Sequence, residues 1–224
     1  MSKKERRLIM VYEIPLRFNK AAVFQRMHIS NDSNHYDEFD RVYKELEQEI
    51  PTYAIAKGTF TLNEAADIGR MIHEGLSKVS HLVYVVLTLG SEISSFSTSY
   101  FEQKNFLKGM MVDQIADQLL FNASDDFYHI IREEIYRKRN FSLTERYCPD
   151  DYYIPIQNQA IILERIDNYE LNISITEGYM YNPPKTMGYV YGADQNIIIA
   201  DKDHDCKFCS NFECEFRSDF EKTY

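Results

Sequence analysis

Six apolar residues in a row, Leu82-Val83-Tyr84-Val85-Val86-Leu87, are followed at once by Thr88-Leu89-Gly90. A run this short and this apolar reads as a buried strand, and the glycine after it as a turn. Such a strand needs amphipathic elements to cover it. Phe18, Ala22, Val23 and Met27 follow near-helical spacing, and residues 30–34 (Ser-Asn-Asp-Ser-Asn) read as a loop. Tyr36, Phe39, Val42, Tyr43, Leu46 and Ile50 then recur at steps of three and four until Pro51 stops them. From Leu107 to Ile135 the apolar positions include Met110, Met111, Ile115, Leu119, Leu120, Phe127, Ile130 and Ile131. They predict a long core helix with a solvated acidic face, where Asp113 and Asp117 lie one turn apart. Residues 136–139 supply the cationic last turn that suits a helix C-terminus.

Around this frame lie shorter signals. Residues 8–12 are a strand candidate closed by Pro15, and residues 53–60 alternate with β-forming residues. Thr61-Leu62-Asn63-Glu64 has the pattern of a capping box and predicts a helix running to about Lys78. Late in the chain, residues 156–167 read as a helix, and Leu171, Ile173 and Ile175 alternate as in a half-buried strand. Residues 189–191 and 197–199 read as two antiparallel strands joined by a turn at Gly192-Ala193-Asp194. The fold class expected is mixed α/β: one compact domain with a central, largely antiparallel twisted sheet flanked by helices. Residues 1–200 would form that domain and residues 201–224 a Cys-rich tail.

The formal charge of −10 speaks against a non-specific nucleic-acid binder, which needs clustered Lys and Arg, and against anionic membrane surfaces. No apolar stretch approaches the ~18 residues of a membrane helix. The basic residues 1–7 are not followed by a long apolar stretch or a cleavage site, so a cytoplasmic protein is expected. Three of the four cysteines, Cys206, Cys209 and Cys214, crowd into one segment with His204. That spacing suits zinc or an iron–sulfur centre, thiols that take part in electron transfer, or simply reduced cysteines on an exposed acidic tail. No Gly-rich loop of the dinucleotide-binding kind is present, which speaks against a Rossmann-type methyltransferase. Cys148 has no identifiable histidine partner for nucleophilic catalysis.

Four segments, in order, resemble the activation domain of cobalamin-dependent methionine synthase and its stand-alone bacterial relatives. They are Thr88-Leu89-Gly90-Ser91-Glu92-Ile93; the helix with Met110-Met111-Val112-Asp113-Gln114-Ile115-Ala116-Asp117; Arg146-Tyr147-Cys148-Pro149-Asp150-Asp151-Tyr152-Tyr153-Ile154-Pro155; and Ile175-Thr176-Glu177-Gly178-Tyr179-Met180 with Pro183, Thr186 and Gly188. The ending Cys206-x-x-Cys209-x4-Cys214-x-x-Arg217 is similar to the tail of stand-alone members. The resemblance covers residues 80–217 well and the first eighty loosely.

The resemblance implies an accessory subunit, a non-autonomous part of the methyltransferase, that binds S-adenosylmethionine and presents its methyl group to cob(II)alamin on a partner. The partner would be a cobalamin-dependent methionine synthase or another corrinoid protein. A flavodoxin-type donor would supply the electron. Cobalamin would sit on the partner chain, since nothing here resembles the Asp-x-His-x-x-Gly cobalt-ligand motif. By resemblance Arg146 binds the ligand carboxylate, on the loop that carries Cys148, Pro149 and Tyr152; the bland alternative is a surface salt bridge. The family has Pro-Gly-Tyr where this chain has Pro149-Asp150-Asp151, which adds a side chain and negative charge where a glycine lets backbone approach a ligand. Tyr152 or Tyr153 would then replace the aromatic contact. Glu177 contacts the amino group or ribose, or pairs with an arginine at a strand edge. Tyr179 and Tyr181 stack on adenine or cover the sheet. A different reading keeps the fold but loses the methyl donor, leaving a metal-binding or redox module at Cys206, Cys209 and Cys214.

Overall fold

A single antiparallel sheet organises the chain, and its strand order explains which residues are buried twice over. The computed structural model describes residues 10–65, 69, 72–149, 154–166 and 170–197. In the sheet the order is β1 (Tyr12–Ile14), β2 (Ala56–Glu64), β3 (His81–Thr88), β7 (Thr186–Asp194) and β4 (Ser142–Leu143). Two short strands, β5 (Ser174–Ile175) and β6 (Tyr181–Asn182), form a separate hairpin. Five α-helices lie among the described residues: α1 (Lys20–Arg26), α2 (Tyr36–Glu49), α3 (Glu92–Glu102), α4 (Phe106–Arg139) and α5 (Asn158–Arg165).

β3 sits in the middle, paired with β2 on one side and β7 on the other, and every residue from Leu82 to Thr88 is buried. Its side chains alternate between two cores, as strand geometry requires. Val83, Val85 and Leu87 join Tyr189 and Tyr191 under α1, α2 and α4. Leu82, Tyr84 and Val86 join Val190, Tyr181 and the α5 residue Ile162 on the opposite face.

α4 is a 34-residue helix with a cap at each end. The Asn105 side chain accepts from the Lys108 N–H at 3.3 Å, and Asn140 closes the helix in the left-handed region at φ 56°. Its basic last turn is tied down locally, Arg137 to Glu133 and Lys138 to Glu134, both at 2.6 Å. Near its middle Phe127, fully buried, packs against Tyr12 and Phe60 with ring centroids 5.6 and 6.1 Å away. Gly58 on β2 makes room for it, since a Cβ there would lie 2.6 Å from the ring.

The long helix, the helix before Pro51 and the central strand stand where the periodicity places them. Four local expectations give way. The capping-box residues 61–64 are the second half of β2, in register from Thr61↔Tyr84 to Glu64↔His81; eight paired positions outweigh a cap worth about 1 kcal/mol. Helical backbone is found at Gly69 and Ile72, followed by one 3-10 turn at Glu74–Leu76. Gly192-Ala193-Asp194 is strand and not turn: Gly192 pairs with Leu82 and lies so close to Val79 that a Cβ would sit 2.7 Å from its methyl group. β1 starts at Tyr12, and residues 8 and 9 lie outside the described residues, as do 198 and 199 of the second expected strand. Of the alternating stretch at 171–175 only Ser174 and Ile175 pair as strand, although Leu171 and Ile173 are buried. α3 has no counterpart in the sequence reading.

Asp113 and Asp117 are also not a free acidic face. Both carboxylates receive the Lys185 ammonium, at 2.7 and 2.6 Å, which ties α4 to the turn before β7. Among the described residues no helix is long and apolar enough to cross a membrane.

Two outcomes follow from this packing. Phe127→Ala removes a fully buried ring and is expected to cost about 3–5 kcal/mol in urea unfolding; a loss below about 1 kcal/mol would mean that the helix–sheet contact is not central to stability. The second concerns Asp117, whose carboxyl is pushed above its ordinary value by burial, against the pull of Lys185. A carboxyl with a raised folded-state pKa favours the folded state in acid, and that contribution is lost as pH rises from the ordinary value through the raised one. Asp117→Asn lacks this slope. Its stability relative to wild type is expected to improve as pH climbs from about 3 to 7, read from unfolding curves across that range.

Candidate functional site

Residues 142–149 pass along the free side of β7 after α4 ends. Ser142 and Leu143 pair with Asp194 and Ala193, Thr144 bonds Gly192, and Tyr147 exchanges both backbone bonds with Val190, at 2.9 and 3.0 Å. Extended backbone sends neighbouring side chains to opposite faces. Tyr147 therefore goes to the α5 side of the sheet, where its hydroxyl reaches over Gly75 and its ring meets His73 at 4.7 Å. Burial, with Glu145 nearby, pushes the Tyr147 phenol up to about 12.

Arg146 goes the other way, into the face covered by α4. It is only 7% exposed, so the surface position of the alternative reading is not what the structure has. Its Nη1 donates to Ser124 Oγ, and its guanidinium carbon lies 5.8 Å from the Phe121 ring centroid and 5.4 Å from that of Tyr189. Both distances are within reach of a cation–π interaction. The chain thus holds a buried cation at the seam between a helix and the last third of the sheet.

The remaining members of the expected set divide. Cys148 is half-buried and forms no disulfide among the described residues, and Pro149 is buried. Asp150, Asp151, Tyr152 and Tyr153 lie outside the described residues. Glu177 and Tyr179 occupy the tip between β5 and β6. The tip is closed by bonds from Thr176 N–H to Met180 O and from Tyr179 N–H to Thr176 O, with Tyr179 at φ 63°. Glu177 is exposed and forms no ion pair among the described residues, so the strand-edge arginine pairing is not seen. Tyr179 is 37% exposed, whereas Tyr181 is buried over Gly188, where a Cβ would meet its hydroxyl at 2.0 Å. Tyr181 is the one that covers the sheet. Its hydroxyl donates to Gln159 O at 3.3 Å.

One backbone feature lies between these groups. Val190 turns its N–H and C=O toward Tyr147, so by the alternation of an antiparallel strand Gly188 turns its own toward the same side. No bond from a described residue meets them there. The turn at the far end of β3 is closed more fully: Leu89 N–H donates to Lys185 O at 2.9 Å, the Thr88 and Thr186 hydroxyls meet at 2.7 Å, and Gly90 takes φ +85°. A surface groove of about 700 Å³ beside that turn is lined by Glu49, Tyr53, Phe96 and Tyr100 among others. It contains none of the residues expected from the sequence.

Cys206, Cys209, Cys214 and His204 lie outside the described residues. Among the described residues no group of three or more His, Cys, Asp or Glu is arranged to hold a metal. The sequence reading missed Ser124, Phe121 and Tyr189 as neighbours of Arg146. The available signal was Ser124 itself, a hydroxyl four residues after Leu120 and three before Phe127, on the apolar stripe of the helix.

No protein-family profile matches the sequence, and no curated protein aligns with it significantly. Among solved structures, the MetH reactivation domain bound to AdoHcy matches with a TM-score of 0.64 at 14% identity. The match covers 88% of this chain and 81% of that one. At that identity the likeness establishes the fold: the chain has the architecture of the reactivation domain.

Proposed function

We propose that this chain binds S-adenosylmethionine and serves as an accessory subunit in the reductive reactivation of a cobalamin-dependent methionine synthase. The observation that carries the reading is Arg146: a guanidinium held at the seam beside β7, in a fold shared with a domain solved with AdoHcy. AdoHcy and S-adenosylmethionine share their amino-acid and adenosyl parts, and an arginine fork matches the carboxylate of either.

In this reading Arg146 anchors the carboxylate. The backbone of Gly188, which falls in the stretch resembling the activation domain and is met on that side by no bond from a described residue, offers a donor and an acceptor beside it. Glu177 and Tyr179, at the β5–β6 tip, serve the amino group or ribose and the adenine. The ligand supplies an electrophilic methyl group on a sulfonium centre. The chain contributes placement, fixing that methyl where a corrinoid on another chain can approach, which is catalysis by proximity and orientation. The corrinoid chain is the methionine synthase or a related corrinoid protein, and the electron comes from a flavodoxin-type donor in the cytoplasm. The net charge of −10 favours a partner with a basic docking face.

The test is calorimetric titration of S-adenosylmethionine into the purified chain. Saturable binding is expected, weakened about 30-fold or more in Arg146→Ala, as for truncation of one partner of a buried charge pair. Absence of binding both to the free chain and to its mixture with a cobalamin-loaded methionine synthase would sink the proposal.

A further inference from the structure

We infer that Ser124 is the positioning residue for the ligand-binding guanidinium of Arg146, an inference that rests on the reading of Arg146 as a carboxylate anchor. Ser124 is fully buried in the middle of α4, where a serine contributes nothing to helix propensity that alanine would not improve. Its hydroxyl has one proton and two lone pairs. The proton is committed to the carbonyl of Phe121 one turn back, at 2.8 Å. The lone pairs are therefore turned away from the helix backbone, and one of them accepts from Arg146 Nη1. The helix fixes the hydroxyl, and the hydroxyl fixes one corner of the fork.

The ring faces complete the hold. Phe121 lies on the same helix face as Ser124, three residues earlier, and Tyr189 reaches in from β7, so the guanidinium is placed by two elements at once. A hydroxyl acceptor takes one of five N–H donors and cancels none of the charge. The contact thus sets the direction of the guanidinium without itself placing a negative charge against it. A carboxylate at position 124 would satisfy the same donor and compete with the ligand for the charge.

The inference is tested with two ligands and a mutant cycle on the full chain: S-adenosylhomocysteine, which carries the carboxylate, and 5′-methylthioadenosine, which does not. Thermal melts confirm that each variant is folded. Ser124→Ala is expected to weaken S-adenosylhomocysteine about tenfold, in line with a hydrogen bond to a charged group, and to leave 5′-methylthioadenosine unchanged. Ser124→Cys, which keeps a weak acceptor, should fall between. In an Arg146→Ala background the Ser124→Ala change should have no further effect, because nothing remains to be positioned.

Three results would overturn it: equal weakening of both ligands, a Ser124→Ala loss that persists without Arg146, or no loss at all from Ser124→Ala. Failure of the underlying reading looks different. There, Arg146→Ala itself leaves S-adenosylhomocysteine affinity intact, whatever the serine does.

Discussion

The contact between α4 and the sheet is the one on which the other features depend. A helix of 34 residues runs about 50 Å at 1.5 Å per residue, so it spans the sheet from the turn before β7 to the edge strand β1. Three points hold it at fixed register: Lys185 between Asp113 and Asp117 near its start, Phe127 against Tyr12 and Phe60 past its middle, and the Asn140 cap at its end. Between the first two lie Phe121 and Ser124. Their direction is therefore set by contacts made at both ends of the segment, and a sliding or rotation that moved them would also break an ion pair or expose an aromatic ring.

That register also explains why residues 142–149 follow the path they do. The chain leaves the αL cap at Asn140 and must return along the only side of β7 that β3 leaves open. It pairs as far as Val190. Among the described residues, the place where pairing ends is also where Arg146 enters the helix-covered core and where the buried Gly188 backbone points to the same side as that of Val190. The proposed binding edge at this position would be a consequence of connectivity: a strand pair that stops early leaves backbone donors and acceptors beside whatever side chain marks the stop.

How far this was legible depends on the range of the interactions involved. The central strand, α2 and α4 are written in periodicity because one element's own side chains make the pattern. α3 is not, since Glu-Ile-Ser-Ser-Phe-Ser-Thr-Ser-Tyr is a poor helix former on its own. It is helical because it packs on α4, with Ser97 Oγ donating to Gly109 O at 2.9 Å and the Phe101 ring lying against Gly109. Residues 61–64 failed in the opposite sense, a good local cap signal overruled by pairing with β3. At the candidate site, Arg146 was singled out by the order and spacing of four motifs, while its burial under the long helix was not legible. Ser124, Phe121 and Tyr189 were not, because their relation to Arg146 comes from two chain crossings that no local pattern records.

The choice of arginine at this seam can be argued from the cost of burial. A cation that is 7% exposed has lost most of its water, and such a group persists only where other interactions replace it. Lysine would concentrate the charge on one small, strongly hydrated ammonium, which the faces of Phe121 and Tyr189 would compensate poorly. A guanidinium spreads the charge over a plane, is less strongly hydrated, and offers flat faces to rings and an edge to acceptors at the same time. The two kinds of contact are different in kind: the rings attract the charge without taking a donor, while Ser124 and any carboxylate must come to the edge that carries the N–H groups. Cation–π attraction therefore makes the burial more tolerable without itself using N–H donors, and the hydroxyl fixes one of them. In the proposed role, a guanidinium arranged this way would meet a carboxylate already oriented, so less of the binding free energy would be lost to ordering a long side chain at the moment of contact.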